Sequence, residues 1–457
     1  MPNPSAGPRL AVMMFLQFFV WGSWYVAGPS YLGKIGFTGA DFGWMYSVGP
    51  IAGMISPLFV GLVADRWFAA QRLLGVLHLL GAAAMWYATT LMLAEKPEPD
   101  AINAAFFSHM LCYYPTLALT NTLAMRNLGD TEKQFPLVRV FGTFGWIAAG
   151  VAITALGWGA SVRMFQVTVA ASAAMGLFAF LLPHTPPAEH VPGGARQALG
   201  LDALELLKNK SYAVFLVCSF LICIPLAFYY QLAERAVQTA GIADATFKMT
   251  FGQMSEVFFM AVMPFFFARL GVKWMLAVGM LAWVARYGLF AVGVPDDQAM
   301  LVLVGVALHG ICYDFFFVTG QIYTDQCARK EIRGQAQGFL VLCTLGLGMF
   351  IGAKVAGAIE DGATPPSAKA LLGEAGTRQA ELIRIAVRFD KGEVAEDERA
   401  AVEARQALLE KEADELKLQA YEAMDWATIW KWPALGAGVV LLIFLAGFRG
   451  PRRAASA

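Results

Sequence analysis

Four charged side chains sit where charge is costly. Glu256 lies in "FGQMSEVFFMAVMPFFF", an apolar run beginning at Phe251, with the amide Gln253 three residues before it. Asp314 lies in a second such run, "LHGICYDFFFVTG". Arg139 and Arg286 (in "WVARYGLF") complete the set, and Gln17, Asn121, Gln231 and His309 add uncharged polar groups inside apolar stretches. Residues three apart share a helix face, so Gln253 and Glu256 would point the same way. Burial disfavours the charged form of a carboxyl group, so an acid in a partly dry cavity can exchange a proton and accept hydrogen bonds from a polar solute. An acid paired with an arginine can also simply hold two helices together, and that reading suits Arg286. One such pairing needs one acid; with two, Glu256 and Asp314 point to function.

The elements that carry these residues follow from composition. The chain has 457 residues, 58% of them hydrophobic and only 15% charged, with a mean hydropathy of +0.55; soluble domains carry about 25% charge. Apolar runs of about twenty residues recur, enough helix to cross a bilayer's hydrocarbon core. Twelve spans are predicted near 10–32, 41–63, 73–94, 102–125, 136–157, 163–183, 212–233, 248–269, 273–294, 299–323, 336–358 and 428–448. The expected class is an all-α polytopic membrane protein. The first span is too long to read as a cleaved signal peptide. Six scattered cysteines with no CxxC pair predict neither a disulfide framework nor a metal site.

Basic residues set the expected orientation. With twelve spans, one side holds both termini and Arg66, Arg72, Arg126, Lys133, Arg196, Lys208, Lys210, Arg269, Lys273, Arg329, Lys330, Arg333, Arg449, Arg452 and Arg453. Short loops on the other side hold only Lys34, Lys96, Arg163, Arg235 and Lys248. The positive-inside rule places both termini in the cytoplasm of a bacterial-type plasma (inner) membrane. Trp44, Trp67, Trp274, Trp426, Trp430 and Trp432, at span ends, fit interfacial belts.

The layout is six spans (1–183), a Pro- and Gly-rich connection (184–211) ending in the surface helix "LDALELLKNK", and six more spans (212–457). Two membrane halves related by a pseudo-two-fold axis would need such a plan. A polar insert, 359–427, interrupts the second half between spans eleven and twelve. From Glu360 to Asp425 it holds sixteen acidic and nine basic residues. "FDKGEV" reads as a turn between two helices, and Val402, Leu409 and Leu416 recur every seven residues, as a helix packed on a partner requires. The insert reads as a solvated hairpin outside the cytoplasm; a lid over the outer mouth or a docking surface for a protein partner are the alternatives.

These features describe a proton-coupled carrier. Tyr229, Tyr230, Tyr313, Phe315, Phe316 and Phe317 surround the acids and could stack on a planar ring, although any one of them could equally pack in the core or on lipid. No nucleophile stands beside a base at recognisable spacing, and no phosphate-binding loop is present, so neither an enzyme nor direct ATP coupling is expected. A non-transporting receptor or scaffold has no need of two intramembrane acids.

Several stretches together resemble the nucleoside:proton symporters of the major facilitator superfamily: "LQFFVWGSWY", "GLVADRWFAAQR", "FPLVRVFGTFGW", "GQMSE" and "YDFFFVTGQIY". The resemblance covers nearly the whole chain outside 359–427. It implies the major facilitator fold, two six-helix bundles, here with an extra helical hairpin between helices 11 and 12. It implies nucleosides as substrate and the proton as coupling ion, with no other cofactor and no nucleic-acid partner. By the same resemblance Arg139, Thr143 and Trp146 would line the cavity from the first half. Gln253 and Glu256 would hydrogen-bond ribose or base, Tyr313 and Asp314 would contact substrate, and Asp314 or Glu256 would handle the proton. Gly61, Asp65 and Arg66 would belong to a cytoplasmic gating motif, whose usual following glycine is Phe68 here. One departure stands out. The family's well-known permeases carry amides midway along span seven, where "IPLAFYYQL" has Ala227 and Tyr230, with Gln231 beside them. Another small polar solute, such as a sugar, is therefore the alternative substrate.

Overall fold

The structure, a computed structural model, describes residues 6–450 apart from 26, 33–34, 36, 38, 95, 160, 188–200, 244 and 391–392. Among the described residues the chain is helical throughout. Before the connection come α1 (Ala6–Gly22), α2 (Gly39–Arg66), α3 (Ala70–Met92), α4 (Pro99–Asn127), α5 (Thr131–Ala155) and α6 (Arg163–Ala179). The first predicted span is shorter than expected: α1 stops at Gly22 and a separate short helix follows at Gly28–Leu32. Pro29 is the second residue of that short helix, a first-turn position where its missing N–H is tolerated.

After the connection come α7 (Lys210–Thr239), α8 (245–270) and α9 (272–293), the last two separated only by Gly271, whose φ of 66° reverses the chain without a loop. Then follow α10 (Ala299–Cys327) and α11 (Lys330–Ala363). Each of these two contains a π-helical turn, Asp314–Val318 and Leu342–Gly348. Next are α12 (Pro366–Asp390), α13 (Arg399–Glu422) and α14 (Trp426–Gly447). Among the described residues seven helical stretches are long and apolar enough to cross a membrane, α8 and α9 counting together as one, and α1 and α6 are shorter apolar helices. The end of the connection, expected as a surface helix, is a 3-10 helix, Leu201–Lys208, with Ala203 and Leu206 buried.

The helices on either side of the connection meet most fully at the end where the connection lies. There Leu10, Met14, Leu123, Phe135 and Val138 share one apolar core with Phe215, Leu216 and Phe339. At the opposite end the first six helices keep a core of their own, built on Val20, Trp24, Met85, Phe106 and Phe165. Of the tryptophans expected at the membrane boundary, Trp44, Trp67, Trp274 and Trp432 are exposed. Trp426 and Trp430 are instead buried, and Trp430 stacks on Tyr287 at 5.5 Å. Trp430 thus anchors α14 to α9, and Trp426 donates its indole N–H to the Tyr421 carbonyl of α13.

The insert forms two helices packed on each other. Leu382, Ile385 and Leu409 form its core, with Phe389 and Val402 against them. Ala368 and Ala375 on α12, and Ala413 and Ala420 on α13, are buried as well. Small residues at that end of the seam let the helix axes approach. Arg378–Glu412 (2.9 Å) and Arg405–Glu381 (3.0 Å) bridge the pair. Its base is tied to the second half: Arg235 on α7 pairs with Glu360 on α11 at 2.5 Å and lies over the Tyr421 ring of α13 at 5.7 Å. Asp425 caps α14, and hydrogen bonds from Thr428 hold its carboxyl below the usual carboxylate range.

Candidate functional site

α5 is capped by Asp130, whose side chain accepts from the Lys133 amide at 3.1 Å. From that start Arg139, Thr143 and Trp146 fall at i, i+4 and i+7, on one face. Thr143 faces α8, whereas Arg139 and Trp146 lie against Phe18 and Trp21 of α1. Thr143 Oγ1 donates to Glu256 Oε1 at 2.7 Å, both residues buried, so the expected acid of one half and the expected hydroxyl of the other are joined directly. Arg139 is buried one turn away. Its guanidinium lies 4.0 Å over the Phe18 ring and Nη1 has no hydrogen-bond partner. Glu256, Asp314 and Tyr313 all lie within its electrostatic reach.

The second oxygen of Glu256 faces α10. His309 Nε2 lies 3.8 Å from Oε2. The two helices approach closely because Gly310 packs against the Ser255 backbone, where any side chain would collide. Ser255 Oγ seals the contact, donating to the Ala307 carbonyl and accepting from the Gly310 amide. Behind His309, Arg286 on α9 is fully buried. It donates to the Gly305 carbonyl (3.1 Å) and to His309 Nδ1 (3.0 Å), and its guanidinium lies 3.5 Å over the Tyr229 ring. An acid was the expected type of partner for this arginine; an imidazole, a carbonyl and an aromatic face hold it instead.

Asp314 begins the π-helical turn of α10. It is 0% exposed, and neither carboxyl oxygen has a hydrogen-bond partner. Buried polar groups are normally satisfied, and π-turns concentrate at functional sites. Gln253 Oε1 is likewise buried and unpartnered. Tyr313, half-buried, stacks on His309 (5.6 Å) and meets the tilted ring of Phe317 (4.9 Å) on its other side along the helix.

The sequence-predicted residues do not all converge. Trp146 meets Trp21 edge-on at 5.7 Å. Tyr230 is exposed; its ring edges onto Tyr229 at 6.0 Å, within electrostatic reach of Tyr313 and Glu256. Gln231 is exposed, and its carbonyl accepts from Arg235 one turn on. Asn121, a polar companion in the sequence, is buried in α4. Gly61, Asp65 and Arg66 fall on the last turns of α2, and their side chains lie outside the described residues. Sequence reasoning missed the aromatic wall of the first half, where Trp21 packs on Tyr25, Tyr113, Tyr114 and Trp146. The density of rings in "WGSWY" was the available clue.

At the connection end the two sets of helices are also joined by polar contacts. Gln326 Nε2 donates to Glu132 Oε1 at 2.8 Å, and Gln337 Nε2 approaches Met125 Sδ at 3.7 Å. Arg329 grips Glu205 of the connection through two hydrogen bonds.

A buried acid thus joins two sets of membrane-type helices. The fold is similar to the crystal structure of FucP, a Major Facilitator Superfamily transporter, with a TM-score of 0.62 over 96% of this chain and 98% of that one. At 14% identity this is a likeness of fold alone. A mutant form of the nucleoside transporter NupG matches with a TM-score of 0.66 and 26% identity, over 97% of this chain and 100% of that one. YegT of Escherichia coli (strain K12) is 41% identical over 359 residues, 76% of this chain and 83% of YegT. The family model described as nucleoside H+ symporter matches residues 5–369, and the chain belongs to that family. This is a family of transporters, not enzymes, and its match ends at the start of α12.

Proposed function

We propose that this chain imports nucleosides together with protons, by alternating access, across a bacterial-type plasma (inner) membrane. The observation that carries the reading is the Thr143–Glu256 hydrogen bond between α5 and α8, with the unpartnered Asp314 enclosed nearby. Rocking one bundle against the other must break or remake that bond, so a ligand at this point feels the motion directly. Arg139 Nη1, Gln253 Oε1 and the Asp314 oxygens are donors and acceptors left for a polyhydroxylated solute with a polar base. Trp146, Tyr230 and Tyr313 offer ring faces, and Gln231 stands at the edge of this set. Protonation of Glu256 or Asp314 couples the movement. An uncharged nucleoside gains nothing from the membrane potential, whereas each co-moving proton gains about 2.3 kcal/mol per 100 mV.

The architecture in this reading is twelve spans in two six-helix bundles, 1–183 and 212–457, joined by the cytoplasmic connection 184–211. Both termini are cytoplasmic, and α12 and α13 stand outside the membrane as a hairpin within 359–427, a surface open to a protein partner. Gly61, Asp65 and Arg66 gate the cytoplasmic side. The core shared across the two sets of helices at the connection end supports a cavity closed to the cytoplasm and facing outward.

Tyr230, standing where the family's well-known permeases carry an amide, favours a second substrate reading, another small polar solute such as a sugar. Radiolabelled uptake into proteoliposomes, with and without an imposed pH gradient, separates the two. Gradient-driven accumulation of nucleosides but not sugars is the expected result. Accumulation of sugars alone would replace the substrate, and no response to the gradient would remove the proton.

A further inference from the structure

Arg286 and His309 belong to no part of the mechanism above, yet both are buried and point along one line toward Glu256. We propose that Arg286 fixes the tautomer of His309, and that His309, held neutral with its proton on Nε2, is a positioning residue that offers this N–H to Glu256. The inference rests on the proposed role of Glu256 in the cavity.

The argument is one of donors and acceptors. A guanidinium only donates. Arg286 Nη2 lies 3.0 Å from His309 Nδ1, so Nδ1 must present its lone pair. A neutral imidazole has one N–H, and here it is on Nε2, the nitrogen 3.8 Å from Glu256 Oε2. A second proton could only go to Nδ1, where it would face a guanidinium already donating.

The neighbours act on this state in different ways: the Arg286 charge opposes a second proton on the ring, while the Glu256 carboxylate draws the one proton present to Nε2. From α7, Tyr229 stacks on it at 5.2 Å, and from its own helix Tyr313 stacks on it at 5.6 Å; both are neutral rings. From α9 comes the Arg286 charge, and from α8 the Glu256 carboxylate, the one acid within ion-pair distance of His309 among the described residues. Arg286 itself has no carboxylate within that distance among the described residues. Its charge is held by the Gly305 carbonyl and the Tyr229 face, and it acts on Glu256 through the imidazole.

Glu256 thus has a donor on each oxygen, from opposite halves: Thr143 on Oε1, and the His309 N–H on Oε2 once the 3.8 Å gap closes. Hydrogen bonds at such sites commonly tighten only when ligand is bound. The hydroxyl across the interface is released as the halves move, while His309 travels with Glu256 in the same half. His309 therefore holds the carboxylate in one orientation in both states, without carrying the transported proton.

Two measurements test this. Nitrogen-15 spectra of the histidine-labelled full chain in detergent, with His309 assigned by difference from His309→Gln, should show Nδ1 bare and Nε2 protonated, unchanged between about pH 5 and 8. A proton on Nδ1, or titration to imidazolium in that range, overturns the proposal. This readout needs no substrate, so it stands even if the chain fails to accumulate nucleosides, which would overturn only the transport reading. In proteoliposomes, the side-chain amide that His309→Gln introduces can replace the Nε2–H donor, and uptake should stay within about threefold of the unsubstituted chain with the same pH profile. His309→Phe fills the space without a donor and should raise KM about tenfold or more, the scale of one hydrogen bond to a charged group. If His309→Gln loses gradient-driven accumulation while keeping exchange, His309 carries the proton and the proposal fails. If His309→Phe transports like the unsubstituted chain, the positioning role is gone.

Discussion

Gln17 on α1 and Asp314 on α10 are equally enclosed, each with no exposed surface. Gln17 is partnered at both polar atoms of its side chain and at its backbone carbonyl. Its amide donates to Thr116 Oγ1 at 2.7 Å, its oxygen meets His78 Nε2 at 2.9 Å, and its carbonyl accepts from Tyr113 at 2.8 Å. His78 in turn bonds to Ser172, so α1, α3, α4 and α6 are knitted into one unit. Asp314 uses neither of its oxygens. A buried polar group whose partners are all present has nothing left to offer a solute. One without partners is either a defect or waiting for something. Under the proposed function the first-half cluster is framework, and the cluster around Asp314 is the working part.

That contrast can be broken most sharply at Asp314. Asp314→Asn keeps the shape but cannot titrate, and gradient-driven accumulation should fall about a hundredfold or more, measured as the steady-state ratio of labelled nucleoside. Full accumulation would return Asp314 to the framework. Glu256→Gln is expected to come next. It keeps a group for Thr143 to donate to, so exchange of internal for external nucleoside should survive while uphill uptake drops by about tenfold or more. If both single variants and the double variant still concentrate substrate with only a pH gradient supplied, neither acid couples.

Arg139→Lys should lower uptake about tenfold, because lysine keeps the charge and loses the planar fork that stacks on Phe18 and leaves Nη1 free. Near-normal uptake would make Arg139 an anchor. On the other side of the comparison, Gln17→Ala should cost about 1–2 kcal/mol of stability, seen as a lower unfolding temperature in detergent, with uptake per folded molecule changed by less than about threefold. A large transport defect with normal stability would move Gln17 into the working part. The smallest effect is expected from replacing 365–420 with a short Gly/Ser linker, which should leave uptake within about twofold. Loss of uptake at normal membrane levels would make the hairpin a lid.

Much of this was visible in the chain. Glu256 and Asp314 stood out because charge in an apolar run is rare and costly, and Thr143 and Arg139 came with the resemblance carried by "FPLVRVFGTFGW". Of the heptad Val402, Leu409 and Leu416, the first two lie in the core between the insert's helices and Leu416 does not; at that end buried alanines, which gave no such sign, line the seam. The Arg286–His309 pair was not legible, since the partners lie on different helices. Their contact depends on how closely α8, α9 and α10 approach, and that distance is set by residues such as Gly310, whose importance is the absence of a side chain. The π-turn at Asp314 has no periodicity strong enough to read, and it shifts every side chain after it around the helix. Tyr230 and Gln231 were placed by analogy, and adjacent residues on a helix cannot share a face.

The tie between Arg235, Glu360 and Tyr421 has a mechanical side. Fastened at its base to α7 and α11, the hairpin is a rod about 36 Å long at 1.5 Å per residue. If the halves tilt by roughly 15 degrees, its tip sweeps on the order of 10 Å, far more than any atom at the pivot. The insert is thus a natural pointer. In the proposed alternating-access reading, a fluorophore near Glu396 and another on the first half at the same end of the molecule would report each turnover as a change in distance, with the labels well away from Glu256 and Asp314.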